Sequence, residues 1–243
     1  MNPFKLQKIR QFLYLSAFIG ACNIDPEEVE IKNKSKIEEL VIPAVTSEPD
    51  RKEEGKSALG QKKPKYFNYQ RPLQEIVDEF AQDRGRKKVI IDKSDRVLGL
   101  YLEKELLKEY PLALGRNPFG PKLQRGDLKT PEGSYRALLK YPETPWDKGL
   151  LLNYPNGEDA ERSLQAGIIT VPIANMIKTQ IKYGYAPSQR TALGSGILIH
   201  GGGNKSERGD WTLGCVAVSK KDMDEIYDFI EVGNKGTEIV INP

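Results

Sequence analysis

The chain has 243 residues, with 37 Lys and Arg against 34 Asp and Glu and a formal net charge of +3. A balance this close to neutral, with the two signs interspersed, excludes a polybasic nucleic-acid or membrane-surface binder. One histidine and two cysteines cannot make a usual zinc set, and no carboxylate pair lies at ligand spacing near them. No phosphate-binding glycine loop is present either: the Gly201–Gly203 run lacks the strand-loop-helix setting and the Lys-Ser/Thr that such a loop needs. No cofactor and no metal are expected.

Residues 1–22 read as a targeting segment. Lys5, Lys8 and Arg10 are basic, Phe12 to Ile19 is apolar, and Ile19–Gly20–Ala21–Cys22 brings small residues before a cysteine. That order is a secretory signal peptide, and the apolar run is short for a membrane-spanning helix. Its end resembles a bacterial lipobox, which implies that Cys22 is lipidated. An ordinary cleaved signal, or an uncleaved anchor with an incidental cysteine, are the alternatives. Asn23 rather than Asp follows Cys22, which by the diderm lipoprotein rule implies an exported protein on the periplasmic side, held at the outer membrane. Residues 23–65 are rich in Glu, Lys, Ser and Pro. Such a segment cannot bury enough apolar surface to offset its ordering entropy and is expected to be a disordered tether.

Residues 66–86 are expected to form one helical lead-in, opened by Arg71–Pro72, with Leu73, Ile76, Val77 and Phe80 on one face. The compact domain is expected over residues 87–243, long enough for one core. Strands are expected at 88–91, 97–101, 107–114, 134–141, 150–153 and 237–241. Helices are expected at 158–166, at 173–183 with Pro172 in the first turn, and at 220–232 with Ser219 as cap. Many short strands and few helices imply a mainly β domain with flanking helices, a sandwich or barrel.

The chemistry concentrates between Gly196 and Val218. Ile197–Leu198–Ile199 reads as a buried strand that delivers His200, the only histidine, to its end. Three glycines and a polar loop follow. The chain returns through Trp211–Thr212–Leu213–Gly214 to Cys215, then Val216–Ala217–Val218. A lone Cys is most often a small core residue, and a lone His at a strand end a satisfied polar one. Three features favour nucleophilic catalysis instead. Gly214 leaves backbone N–H groups free to face an oxyanion. The glycine run lets backbone approach a substrate closely. A lipidated Cys22 leaves Cys215 without a disulfide partner in an exported protein.

These residues resemble the signature of the L,D-transpeptidase (YkuD-type) family. There a strand-borne His-Gly is followed, after a loop, by Ser/Thr–His–Gly–Cys. His200–Gly201 matches the first part; Thr212, Gly214, Cys215 and Val216 match the second. Leu213 stands where many members carry a second His, and Ala217 where many carry Asn or Arg. Upstream, Gly126–Asp127–Leu128–Lys129–Thr130–Pro131–Glu132–Gly133 resembles the family's GD-x-x-TPEG turn; the residues alone read it as structural. Arg116, Lys122 and Arg125 before it read as a solvated loop, with contact to substrate carboxylates as the alternative.

The resemblance implies an enzyme acting on the tetrapeptide stems of peptidoglycan through a thioacyl-enzyme. Cys215 would be the nucleophile and His200 the general base and acid. The Gly201 carbonyl would orient His200, and Gly214 would supply oxyanion backbone. Transfer to an amine is the leading outcome. Hydrolysis as an endopeptidase, carboxypeptidase or amidase is the alternative, with a wall-linked protein as a further acceptor or substrate. A non-catalytic wall-binding lipoprotein is the reading from another class. The partners implied are peptide stems and, through Cys22, a membrane.

Overall fold

The computed structural model of the protein describes residues 66–80, 85–188 and 190–243. Cys22 and the tether at 23–65 lie outside them. Among the described residues there are eight strands and five helices, so the protein is mainly β with flanking helices. The strands are β1 (Lys87–Asp92), β2 (Val97–Leu102), β3 (Glu105–Pro111), β4 (Gly133–Thr144), β5 (Asp147–Leu152), β6 (Leu198–His200), β7 (Val216–Ala217) and β8 (Glu238–Asn242). The helices are α1 (Leu73–Glu79), α2 (Gly157–Gln165), α3 (Val171–Lys182), α4 (Lys205–Arg208) and α5 (Lys220–Phe229). No described helix is long and apolar enough to cross a membrane.

All eight strands join one mixed sheet in the order β3-β2-β1-β8-β4-β5-β6-β7. Two features curl it. The twelve-residue β4 serves two neighbours, pairing through Gly133–Arg136 with β8 and through Ala137–Thr144 with β5. The two outermost strands then meet, because Ala113, just beyond β3, exchanges both backbone hydrogen bonds with Ala217 of β7 at 2.7 and 2.9 Å. The sheet thereby closes on itself, as a barrel does to remove its edges. Val89 and Ile91 of β1, Leu98 and Leu100 of β2 and Ile239 and Ile241 of β8 point into one core, at the period-2 spacing a pleated strand requires.

Three expected elements are shorter than expected, each for a local reason. The lead-in helix is only α1, because Arg71 precedes a proline and is pushed out of the α region; Asn68 before it has φ 53°, and residues 66–70 are turns. The third strand stops at Pro111, which has no N–H to donate to a neighbour. The last helix ends at Phe229, where Ile230 turns extended (ψ 136°) and Glu231 N–H goes to Thr237 Oγ1 instead (2.9 Å).

One buried ion pair fixes α1 and α5 onto the sheet. Glu225 accepts from Lys108 Nζ (2.7 Å), Tyr110 Oη (2.8 Å) and Leu73 N–H (3.2 Å). Burial opposes its ionisation, yet these donors hold its carboxyl below the ordinary value. Lys108 is 3% exposed. Glu225→Ala leaves that ammonium buried without its counter-charge and is expected to cost roughly 3 kcal/mol, read as a lowered urea midpoint.

Candidate active site

The site forms where β6 and β7 run parallel. Ile199 pairs with Val216 and His200 with Ala217, so Cys215 lies beside Leu198, two residues from His200 along the strand direction. Leu198 N–H donates to Cys215 Sγ at 3.4 Å, and Sγ stands 3.6 Å from Gly196 O. A backbone donor on the sulfur supports negative charge there. Cys215 is half-buried.

His200 is 1% exposed. Its Nδ1 lies 2.5 Å from Gly201 O. A carbonyl only accepts, so Nδ1 carries the proton and Nε2 keeps the lone pair. Burial lowers the imidazole pKa from 6.5 to about 4, with the Gly201 bond opposing more weakly. At neutral pH the ring is therefore an uncharged base.

Both tryptophans of the chain pack on its one histidine. Trp146 stacks on the imidazole at 4.9 Å between ring centroids and 29° between planes. Trp211 meets it edge-on at 5.6 Å and 71°. Trp211 is itself pinned. Its Nε1 donates to Gly203 O (3.1 Å), Arg116 Nε donates to its carbonyl (3.3 Å), and the Arg208 guanidinium lies 4.7 Å over its ring. The sequence reading gave neither tryptophan a role.

The glycine run does something other than expected. A Cβ on Gly201 would stand 2.8 Å from Trp146 O, and one on Gly202 3.1 Å from Trp146 Cβ. At Gly203 the space is taken by Arg208 and Glu207. The run admits Trp146 and α4, so the close approach it allows includes that of the protein itself.

Gly214 also departs from expectation. Its N–H donates to Thr212 Oγ1 (3.1 Å), and the same hydroxyl donates to Cys215 O (2.7 Å). Thr212 thus staples the turn before Cys215, and this N–H is already engaged. What Gly214 supplies is backbone freedom: φ is 140°, and a Cβ would meet Lys129 O at 2.7 Å. Leu213 is 43% exposed and Ala217 fully buried. Leu213 therefore adds apolar surface two residues before Cys215, and Ala217 sits between the two backbones it pairs with.

The Gly126–Gly133 turn buttresses this loop from behind. Asp127 accepts from the N–H groups of Leu123, Gln124 and Lys129 and from Lys122 Nζ (2.6 Å). Burial opposes its charge, but these donors keep its pKa below the ordinary value. Thr130 Oγ1 accepts from Gly115 N–H (3.0 Å), and Gly115 bridges to Thr212. Lys122 is 3% exposed, which corrects its reading as part of a solvated loop. Away from all this, a cavity of about 550 Å³ lies among Arg86, Lys88, Arg136 and Glu238. Its Lys88–Glu238 pair at 3.6 Å marks it as an ionic seam.

Residues 86–241 match YkuD, the L,D-transpeptidase catalytic domain. YafK of Escherichia coli (strain K12), provisionally named an L,D-transpeptidase, is 27% identical over 147 residues, covering 58% of this chain and 45% of YafK. The chain thus spans about half the length of the curated relatives it matches. Among solved structures, Bd1075 of Bdellovibrio bacteriovorus aligns with a TM-score of 0.42 at 24% identity, over 65% of this chain and 48% of that one. The helical cell shape determining protein Pgp2 of Campylobacter jejuni gives 0.42 at 22% over 70% and 53%. An L,D-transpeptidase from Mycobacterium smegmatis gives 0.38 at 15% over 65% and 59%.

Proposed function

Since the chain belongs to the YkuD family of L,D-transpeptidase catalytic domains, we propose that it is a peptidoglycan-modifying cysteine enzyme acting on tetrapeptide stems. The observation that carries this reading is the placement of the one imidazole, its Nε2 left free by the Gly201 bond, at the end of β6, with the Cys215 thiol just before the parallel β7 and against Leu198 two residues away. In the first half-reaction Cys215 Sγ attacks the carbonyl of the stem's diamino acid, and the thiol proton passes to His200 Nε2. The tetrahedral intermediate collapses, its C–N bond breaks, and His200 returns the proton to the departing D-Ala amine. A thioester remains on Cys215. In the second half-reaction an amine of another stem attacks the thioester and gives its proton to His200. The C–S bond breaks, and the thiol is restored. The developing oxyanion needs donors other than Gly214 N–H, which Thr212 already engages.

Water in place of the amine would give hydrolysis. Leu213, half-exposed and without a donor, is the feature that favours keeping this second reading. The test is to give the full chain, in detergent, tetrapeptide muropeptides with and without a competing amine, and to follow the products by mass spectrometry. Cross-linked or amine-adduct product supports transfer. Shortened stems alone at every amine concentration would make it a hydrolase, and untouched muropeptides would leave a wall-binding protein.

The proposal includes a lipid anchor at Cys22, supported by the basic, apolar and small-residue order before it, and places the enzyme on the periplasmic side at the outer membrane. Cys22→Ser is expected to move the protein out of the membrane fraction and to abolish labelling by a palmitate analogue. Label retained in that variant would refute the anchor.

A further inference from the structure

We propose that Trp146, at the tip of the β4–β5 hairpin, is a positioning residue that with Trp211 clamps the His200 ring in the orientation that presents Nε2. Its service to catalysis rests on the reading above; the clamp itself is a matter of geometry. The hairpin is built to deliver this side chain. Thr144 pairs with Asp147 across the tip. Thr144 Oγ1 accepts from Trp146 N–H (3.1 Å) and donates to Asp147 O, and Asp147 takes a left-handed φ of 86°. This turn folds the indole back over the neighbouring strand, where Gly149 of β5 pairs with His200 of β6.

The opposite side of the contact is cleared for it. Gly201 and Gly202 leave no Cβ between their backbone and Trp146. With Trp146 on one face of the imidazole and Trp211 against its edge, a ring flip that would free Nδ1 from Gly201 O must displace an indole. The two tryptophans are themselves 6.5 Å apart at 56°, so they form one aromatic wall. A merely structural tryptophan would need none of this alignment with a titratable ring.

The clamp also explains the ring's charge state. The titratable and charged groups on the elements around His200 are Asp147 and Lys148 on β5, Lys205, Glu207 and Arg208 on α4, Asp210 beside Trp211, and the Cys215 thiol before β7. None of them sets the imidazole's protonation: burial does, and the Gly201 bond opposes it. Trp146 and Trp211 supply aromatic cover. Removing one should therefore let water reach the ring and raise its pKa.

A single histidine makes the test direct. In the full chain, 15N-labelled and carrying a histidine-free tag in detergent, every imidazole signal belongs to His200. The wild type should show one tautomer, protonated on Nδ1, titrating near pH 4, with its ring C–H signal moved upfield by the stacked indole. Trp146→Ala should raise the titration midpoint by a unit or more toward 6.5 and bring in the second tautomer. Trp146→Phe, which keeps a ring on the imidazole, should restore the wild-type behaviour. In turnover assays Trp146→Ala should lower kcat at least tenfold while KM holds. Superimposable titrations of wild type and Trp146→Ala would overturn the proposal. Should that variant not fold, an unshifted ring C–H signal in the wild type would overturn it equally. A wild type that turns over no stem but titrates as described would instead sink the function and leave the clamp standing.

Discussion

Cys215→Ala is expected to abolish turnover of tetrapeptide stems while the protein stays folded. The sulfur is the only atom removed. Its contacts in the fold include two modest hydrogen bonds, with Leu198 N–H at 3.4 Å and Gly196 O at 3.6 Å, whose loss costs about 1 kcal/mol. That is a fall of a few degrees in melting temperature for a domain of this size. In the proposed mechanism the same atom carries the acyl group, so no covalent route would survive its loss, and a fall on the order of 10⁴-fold or more is expected. Cys215→Ser should be nearly as inactive. A hydroxyl is far harder to ionise than a thiol, and His200, held near pKa 4 by burial, is too weak a base to do it. Thioester trapping with a stem peptide, followed by intact-protein mass, should give an adduct on the wild type alone. Turnover by Cys215→Ala at the wild-type rate would place the nucleophile elsewhere.

Most of the frame was legible in the sequence because its signals are local. Val89 and Ile91 sit two apart in a short apolar run and fall in the core as period 2 demands, with the less buried Ile90 between them. Ser219 reads as a cap, and its hydroxyl does accept Asp222 N–H at 3.1 Å. Closure of the sheet was not legible. It depends on Ala113 meeting Ala217 across a hundred residues of chain, and no pattern within either segment records the other. The same holds for Trp146, which comes from a hairpin tip far upstream of the histidine it covers.

The site's other surprise was within reach. A Thr two residues before a Gly is a spacing at which a hydroxyl takes a backbone N–H, and Thr212 does so with Gly214. The glycine suggests free N–H groups around Gly214 and Cys215, and the Thr212 hydroxyl takes the one at Gly214. The glycine run shows the converse limit: small residues announce that something comes close, without saying what. Here it is an indole and a short helix.

Removing the histidine is expected to cost 10²–10⁴-fold in kcat/KM, the range for loss of a general base. The pH dependence separates this base from an ordinary one. His200 is neutral above its pKa, so the activity of the wild type should hold as pH falls from 7 and drop only near 4. An unperturbed imidazole would already be half lost at about 6.5. Stability follows the same linkage. The folded pKa is depressed below the unfolded one, so the contribution is present above about 6.5 and is lost as pH falls toward 4. Integrated over that window it amounts to about 3 kcal/mol. His200→Asn removes the titration, so the gap in unfolding free energy between variant and wild type should narrow by about that amount between pH 7 and pH 4. Carboxylates titrate in the same window but are common to both proteins, so they cancel in the difference. A constant gap, together with an acid limb of activity near 6.5, would mean that water reaches His200 and that the ring works as an exposed imidazole.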